Sequence, residues 1–130
     1  MAPMKTKRGF SLGEILIVIV IVSVLASLAL PKFAITVEHN RAREGAGILY
    51  VLLNAQKHFF VENGVYAVNI NLLDVDIPAA HYFDPPTVSA NTNDLARIIR
   101  SPGGPFNYTL WINVDGTIFC FGAVCANLGY

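Results

Sequence analysis

The chain has 130 residues, enough for one modest domain beside any membrane segment. Its Lys+Arg and Asp+Glu totals are equal at 9 each, and 3 of the 9 basic residues sit in the first nine positions, so the charge gives no support for a strong nucleic-acid-binding surface. No segment is low-complexity and there is no internal repeat. The 54% hydrophobic content is raised by one N-terminal run.

Residues 1–9 read as a targeting segment and stand outside the fold. Lys5, Lys7 and Arg8 hold all of its charge, so Met4 is an alternative start. Three cations in a short flank favour a cytoplasmic N-terminus and an exported C-terminal part. Residues 10–30 then form an apolar run whose one ionisable side chain is Glu14. At a rise of roughly 1.5 Å per residue this is a helix of about 31 Å, the thickness of a bilayer's hydrocarbon core. Most of Ile15 to Val22 is β-branched, yet in lipid a lone span must satisfy its own backbone and is therefore helical.

Glu14 admits three readings. It is a carboxylate near enough to the surface to reach headgroups, or a charge in a cleaved signal peptide with Ser27-Leu28-Ala29 as the cleavage site, or a group awaiting a new cation. That cation is the α-amine created by a cut before Phe10. The basic leader, Gly9, Phe10, Glu14 and the apolar run resemble the class III signal of type IV prepilins and type II secretion pseudopilins. The resemblance is specific over residues 5–33 and looser beyond. It implies that a prepilin peptidase cuts after Gly9 and N-methylates Phe10, that Glu14 serves assembly, and that Pro31 interrupts the long helix as a family proline does. Gly13 departs from the pattern, standing where a bulky apolar residue usually precedes the Glu.

Pro31 has no N–H, so the Ser27 carbonyl loses its helical partner. The helix either ends there or continues through a kink. Residues 31–62 keep a helical pattern and are expected to form an amphipathic continuation. Val37, Ile48, Leu52, Ala55 and Phe59 mark its apolar stripe, and Glu38, Arg41, Glu44, Lys57 and Glu62 its wet side. Gly45 and Gly47 predict close packing against another element. Asn63-Gly64 stops the helix.

Residues 63–130 are expected to form a globular β-rich head. The span from Phe59 to Leu73 is also similar to the pilin pattern of helix end, turn and short Leu-bearing turn. Asp74 to Asn93 reads as irregular, since Pro78, Pro85 and Pro86 interrupt it and Ser89 to Asp94 is turn-rich, with a strand at most around Ala80 to Phe83. Three strands follow: Leu95 to Arg100, then Tyr108 to Val114 and Thr117 to Phe121, the last two joined by a two-residue Asp115-Gly116 hairpin loop. The expected fold class is α+β, a long N-terminal helix packed on a small antiparallel sheet, which is also the pilin fold that the resemblance implies.

Cys120 and Cys125 are the only cysteines. In an exported domain such a close pair suggests a disulfide pinning the C-terminal tail, against the alternative of two buried thiols. Many pilins carry a C-terminal disulfide, usually around a longer loop. His39, His58 and His81 share no ligand spacing. Asp74, Asp76 and Asp84 carry only a weak calcium signal, and Asn107-Tyr108-Thr109 only a sequon. No catalytic set, metal site or cofactor is expected, so the chain is not expected to be an enzyme.

The resemblance implies a homopolymeric filament subunit, held in the inner membrane before assembly and in an extracellular pilus after it. Its partners would be prepilin peptidase and the pilus assembly machinery. A pseudopilin of secretion or DNA uptake is the first alternative, and a membrane-anchored domain that never polymerises is the second. Removal of the leader leaves 6 basic side chains against 9 acidic, a mildly acidic mature chain.

Overall fold

A computed structural model describes residues 2–3, 8–101 and 103–130. The chain divides into two compact units, Met1–Ala34 and Ile35–Tyr130. A single α-helix, α1 (Leu12–Asn63, 52 residues), contributes to both.

In the first unit the apolar side chains of α1, from Leu12 through Leu30, are exposed. This stretch is long and apolar enough to cross a membrane, and none of it is buried within the chain. Its two serines meet their own needs. Ser23 Oγ donates to the Val20 carbonyl at 2.7 Å and Ser27 Oγ to the Val24 carbonyl at 2.7 Å, so neither hydroxyl is left unpaired in an apolar setting. The helix runs on through Pro31.

In the second unit α1 buries Glu38, Ala42, Gly45, Leu49, Leu52 and Gln56, a strict four-three-four-three spacing that places them on one stripe. Ala46, Ile48 and Leu53 widen it. Ala55 and Phe59 pack on the margin of this core. Glu38 corrects the expected wet side, because the stripe's phase, and not the charge of the residue, decides which face it occupies. The helix stops at Asn63, where Gly64 turns left-handed at φ +73° and its N–H bonds the Phe60 carbonyl at 2.8 Å.

The stripe lies on a four-stranded antiparallel sheet, β1 (Thr87–Asn91), β2 (Asp94–Ile99), β3 (Thr109–Ile112) and β4 (Ile118–Phe121), in spatial order β1-β2-β3-β4. The sheet's inner face supplies Ala96, Ile98, Leu110 and Ile112, all at most 1% exposed. The fold class is thus α+β, with a long apolar helix on a small antiparallel sheet. Four strands replace the expected three, since the polar Ser89–Asn91 run pairs with β2 and is no loop. As an edge strand β1 needs no apolar alternation. The expected strand near Ala80–Phe83 reduces to one bridge between Phe83 and Arg100.

The β3–β4 loop also differs from expectation. Gly116 N–H bonds the Asn113 carbonyl at 3.1 Å, so the turn runs Asn113 to Gly116 and only Gly116 is left-handed, at φ +88°. A two-residue type I′ loop would need Asp115 at positive φ as well, and among the described residues only glycines are. Asn113 Oδ1 instead accepts from the Asp115 and Thr117 N–H groups at 3.1 and 2.9 Å. The result is a three-residue loop with a glycine bulge.

Gly45 is where backbone thinness matters. A Cβ there would stand 2.8 to 3.1 Å from the buried Phe83 ring, whose edge meets Tyr108 at 6.1 Å and 80°. Gly45→Ala is expected to lower the Tm of the detergent-solubilised chain, its steric cost of about 1–3 kcal/mol exceeding the ~1 kcal/mol gain in helix propensity. Gly47 faces open space, so the close packing expected there is absent. Gly122 is tighter still. At φ +149° its Cβ would meet the Asn107 carbonyl at 2.7 Å and Tyr108 Cβ at 2.8 Å. Because backbone cannot yield as a side-chain tip does, Gly122→Ala is expected to cost about 3 kcal/mol or more, read in the same unfolding measurement.

Cys120 and Cys125 form a disulfide with Cα atoms 5.7 Å apart. It ties β4 to the C-terminal turn of helix, α2 (Cys125–Leu128), whose Leu128 enters the core.

Candidate assembly site

Arg8, Gly9, Phe10 and Ser11 lie outside α1, and Phe10 is exposed. The Gly9–Phe10 bond therefore stands in exposed chain ahead of the helix. One step on, the helix opens with a reciprocal cap. Ser11 N–H donates to Glu14 Oε2 at 2.7 Å, and Glu14 N–H donates to Ser11 Oγ at 3.2 Å. This is a capping box, which satisfies backbone donors that the first turn leaves without intrahelical partners. It also holds the Glu14 carboxylate at the helix start, where the dipole favours negative charge. The signal was present as Ser11-Leu12-Gly13-Glu14, Ser-x-x-Glu ahead of an apolar run. Sequence reasoning had assigned Glu14 only to a partner outside its own turn.

A second polar cluster was not foreseen. Glu38 is fully buried and accepts from Arg100 Nε at 2.6 Å, Arg100 Nη2 at 3.4 Å, Tyr108 OH at 2.9 Å and Arg41 Nη1 at 3.3 Å. Arg100, 6% exposed, also donates through Nη1 to the Tyr82 carbonyl at 2.7 Å. Burial pushes the Glu38 carboxyl up, but the bonds from Arg100 and Tyr108 and the Arg100 charge outweigh it and hold the group below its usual range. The bond to Glu38 raises Arg100 further, against its burial. Burial and the neighbouring carboxylate push the Tyr108 phenol well above its ordinary value. Gln56, also on the stripe, bonds the Ala67, Ser89 and Leu95 carbonyls at 2.9, 3.2 and 3.4 Å and accepts from Ala67 N–H at 2.8 Å. These two residues lock the helix to the loop and the sheet with every polar atom of their side chains hydrogen-bonded.

The remaining candidates do not converge. His58 faces Glu62 at 3.7 Å and His81 faces Glu44 at 3.2 Å. Asp84 accepts from Ser101 Oγ at 2.9 Å. Among the described residues no group of three or more His, Cys, Asp or Glu side chains is placed to hold a metal ion.

Residues 4–30 match the prokaryotic N-terminal methylation motif. Over 60 residues, 46% of the chain, the sequence is 38% identical to the type IV major pilin protein PilA of Myxococcus xanthus (strain DK1622), of which it covers 27%. Over 100 residues, 77% of the chain, it is 32% identical to the type II secretion system core protein G of Escherichia coli (strain K12), of which it covers 67%. The chain belongs to the type IV pilin and pseudopilin family. It spans about a quarter of the Myxococcus pilin and two-thirds of the Escherichia protein. No solved structure matches it significantly.

Within this pilin-like chain the two polar centres differ in kind. Glu14 is exposed, in the first turn of an apolar helix segment that nothing in the chain covers. Glu38 is saturated by its own chain. Only the first has a carboxylate oxygen within reach of a partner from outside.

Proposed function

We propose that the chain is the structural subunit of a type IV pilus, cut between Gly9 and Phe10, N-methylated at Phe10 and polymerised through α1. The observation that carries this reading is the uncovered apolar half of α1, which carries a carboxylate at its start. In the bilayer that surface is solvated by lipid. Outside it, the exposed side chains from Leu12 to Leu30 need cover, and copies of the same helix supply it. Bundling buries Glu14, which is very costly for an unpaired carboxylate. The Phe10 amine of a neighbouring subunit is the natural counter-charge. Pro31 lies where the apolar run ends and lets this half of the helix adjust without breaking it. The subunit would sit in the inner membrane as a single-pass protein before assembly and in a surface filament afterwards.

A pseudopilin of a type II secretion or competence system is the second reading, favoured by the longer match to the Escherichia protein. Mass spectrometry of the N-terminal peptide from material sheared off the cells tests both. N-methylated Phe10 in that fraction supports the surface pilus. The same processed terminus confined to the envelope supports the pseudopilin. A chain retaining Met1 or Met4, found only in membranes, overturns both.

A further inference from the structure

The head carries two apolar patches that its own core leaves uncovered. On the outer face of the sheet, the side away from α1, Arg97, Trp111 and Phe119 stand opposite one another across β2, β3 and β4. The Trp111 and Phe119 rings are nearly parallel, 18° apart with centroids at 5.7 Å. Phe121, two residues along the same strand face, is 75% exposed. The second patch follows the end of α1, where Val65, Val68 and Leu72 are 59%, 69% and 52% exposed. Val68 lies beside the start of β1, in a cleft it shares with Pro86 and Thr87. Phe119 and Phe121 lie on the edge strand β4 and Val68 lies beside the other edge strand, β1, so the two patches are distinct surfaces.

Their rims carry opposite charge. The Arg97 guanidinium lies 5.9 Å above Trp111, with its side chain 47% exposed. It offers five donors, of which Nη2 is engaged by Asp94. Leu72 borders a polar cleft of about 410 Å³ that also holds the Glu62 and Asp74 carboxylates, with His58 3.7 Å from Glu62. An arginine flanked by aromatic rings, meeting an acidic cleft flanked by aliphatic side chains, is a complementary pair. Two different surfaces make a heterologous contact, and repeated heterologous contacts build open helical filaments when the rotation does not close.

We infer that the outer face of β3–β4 of one subunit docks on the Val65–Leu72 patch of a second copy of this chain, with Arg97 entering the Glu62/Asp74 cleft. This rests on the filament reading and adds to it a contact between heads, separate from the α1 bundle. It makes the head a second source of lateral contact beside the apolar helix.

The test places the photo-crosslinker benzoylphenylalanine at Phe119 in the full chain and maps the crosslinks in sheared fibres by mass spectrometry. The expected product joins position 119 to a peptide within residues 62–74 of another copy. Fibres that form normally but crosslink elsewhere, or to another protein, overturn the contact while leaving the filament reading intact. Cells that make no fibres with the unmodified chain overturn both. A charge swap supplies the second readout. Arg97→Glu is expected to lower fibre yield by about tenfold, and adding Glu62→Arg with Asp74→Arg to restore most of it. An unchanged Tm of the detergent-solubilised variants separates lost docking from lost folding, and unchanged yield with Arg97→Glu overturns the proposal.

Discussion

Replacing Glu14 by alanine is expected to leave export and cleavage at Gly9–Phe10 intact and to cut filament yield by at least about tenfold, the scale of one lost buried charge pair. Two effects overlap in that variant. The capping box disappears, at a local cost of about 1 kcal/mol, and so does the charge that would meet the Phe10 amine of a neighbour. Glu14→Gln separates them. Glutamine can still close the box with Ser11 but carries no charge. If pairing drives assembly, Glu14→Gln fails nearly as badly as Glu14→Ala. If the cap alone matters, Gln restores fibres. Sheared-fibre yield and N-terminal sequencing of each variant read the two steps separately. Normal piliation in Glu14→Ala would falsify the assembly role.

Glu38→Ala is expected to be the most destabilising change in the head. It strands the Arg100 guanidinium and the Tyr108 hydroxyl in the core, and breaking a buried pair from one side costs about 3–5 kcal/mol. A domain of this size has about 5–15 kcal/mol in total, so a large part of its stability goes. Replacing the whole cluster, as Glu38→Leu/Arg100→Met/Tyr108→Phe, removes partners together and is expected to recover most of the loss. Urea unfolding of the solubilised chain measures both, and a single-variant loss below ~1 kcal/mol would show the pair to be dispensable.

The same group sets an acid limit. The folded Glu38 carboxyl lies below its ordinary value of 4.5, so folding is favoured when it is ionised. That contribution is fully present above pH 4.5 and is lost as pH falls through the lower folded value. In Glu38→Leu/Arg100→Met/Tyr108→Phe this acid-dependent part is expected to vanish.

Much of the first unit was legible because its signals are local. The run of apolar residues acts within one or two helical turns, so near neighbours decide it; the Ser-x-x-Glu spacing is as local, yet the cap it forms went unread. Asn63-Gly64 ended α1 for the same reason, since only the left-handed glycine continues that path without strain. The alternation of Tyr108, Leu110 and Ile112 likewise predicted a buried face, and Cys120 and Cys125 lie close enough in sequence to find each other.

What the chain order could not reveal was decided at long range. Glu38 meets Arg100 across 62 residues and Tyr108 across 70, so nothing in its own turn marks it as buried except its phase on the stripe. Gly45 is needed because Phe83 arrives from a loop. The polar β1 is a strand because β2 offers it a ladder, and Asp115 stays out of the left-handed region because Asn113 provides another way to close the loop. By itself the sequence determined a helix long and apolar enough to cross a membrane and a small β head after it. The tertiary structure alone decided which charged side chain that head would bury, because the cost of burial is met only by partners that folding brings together.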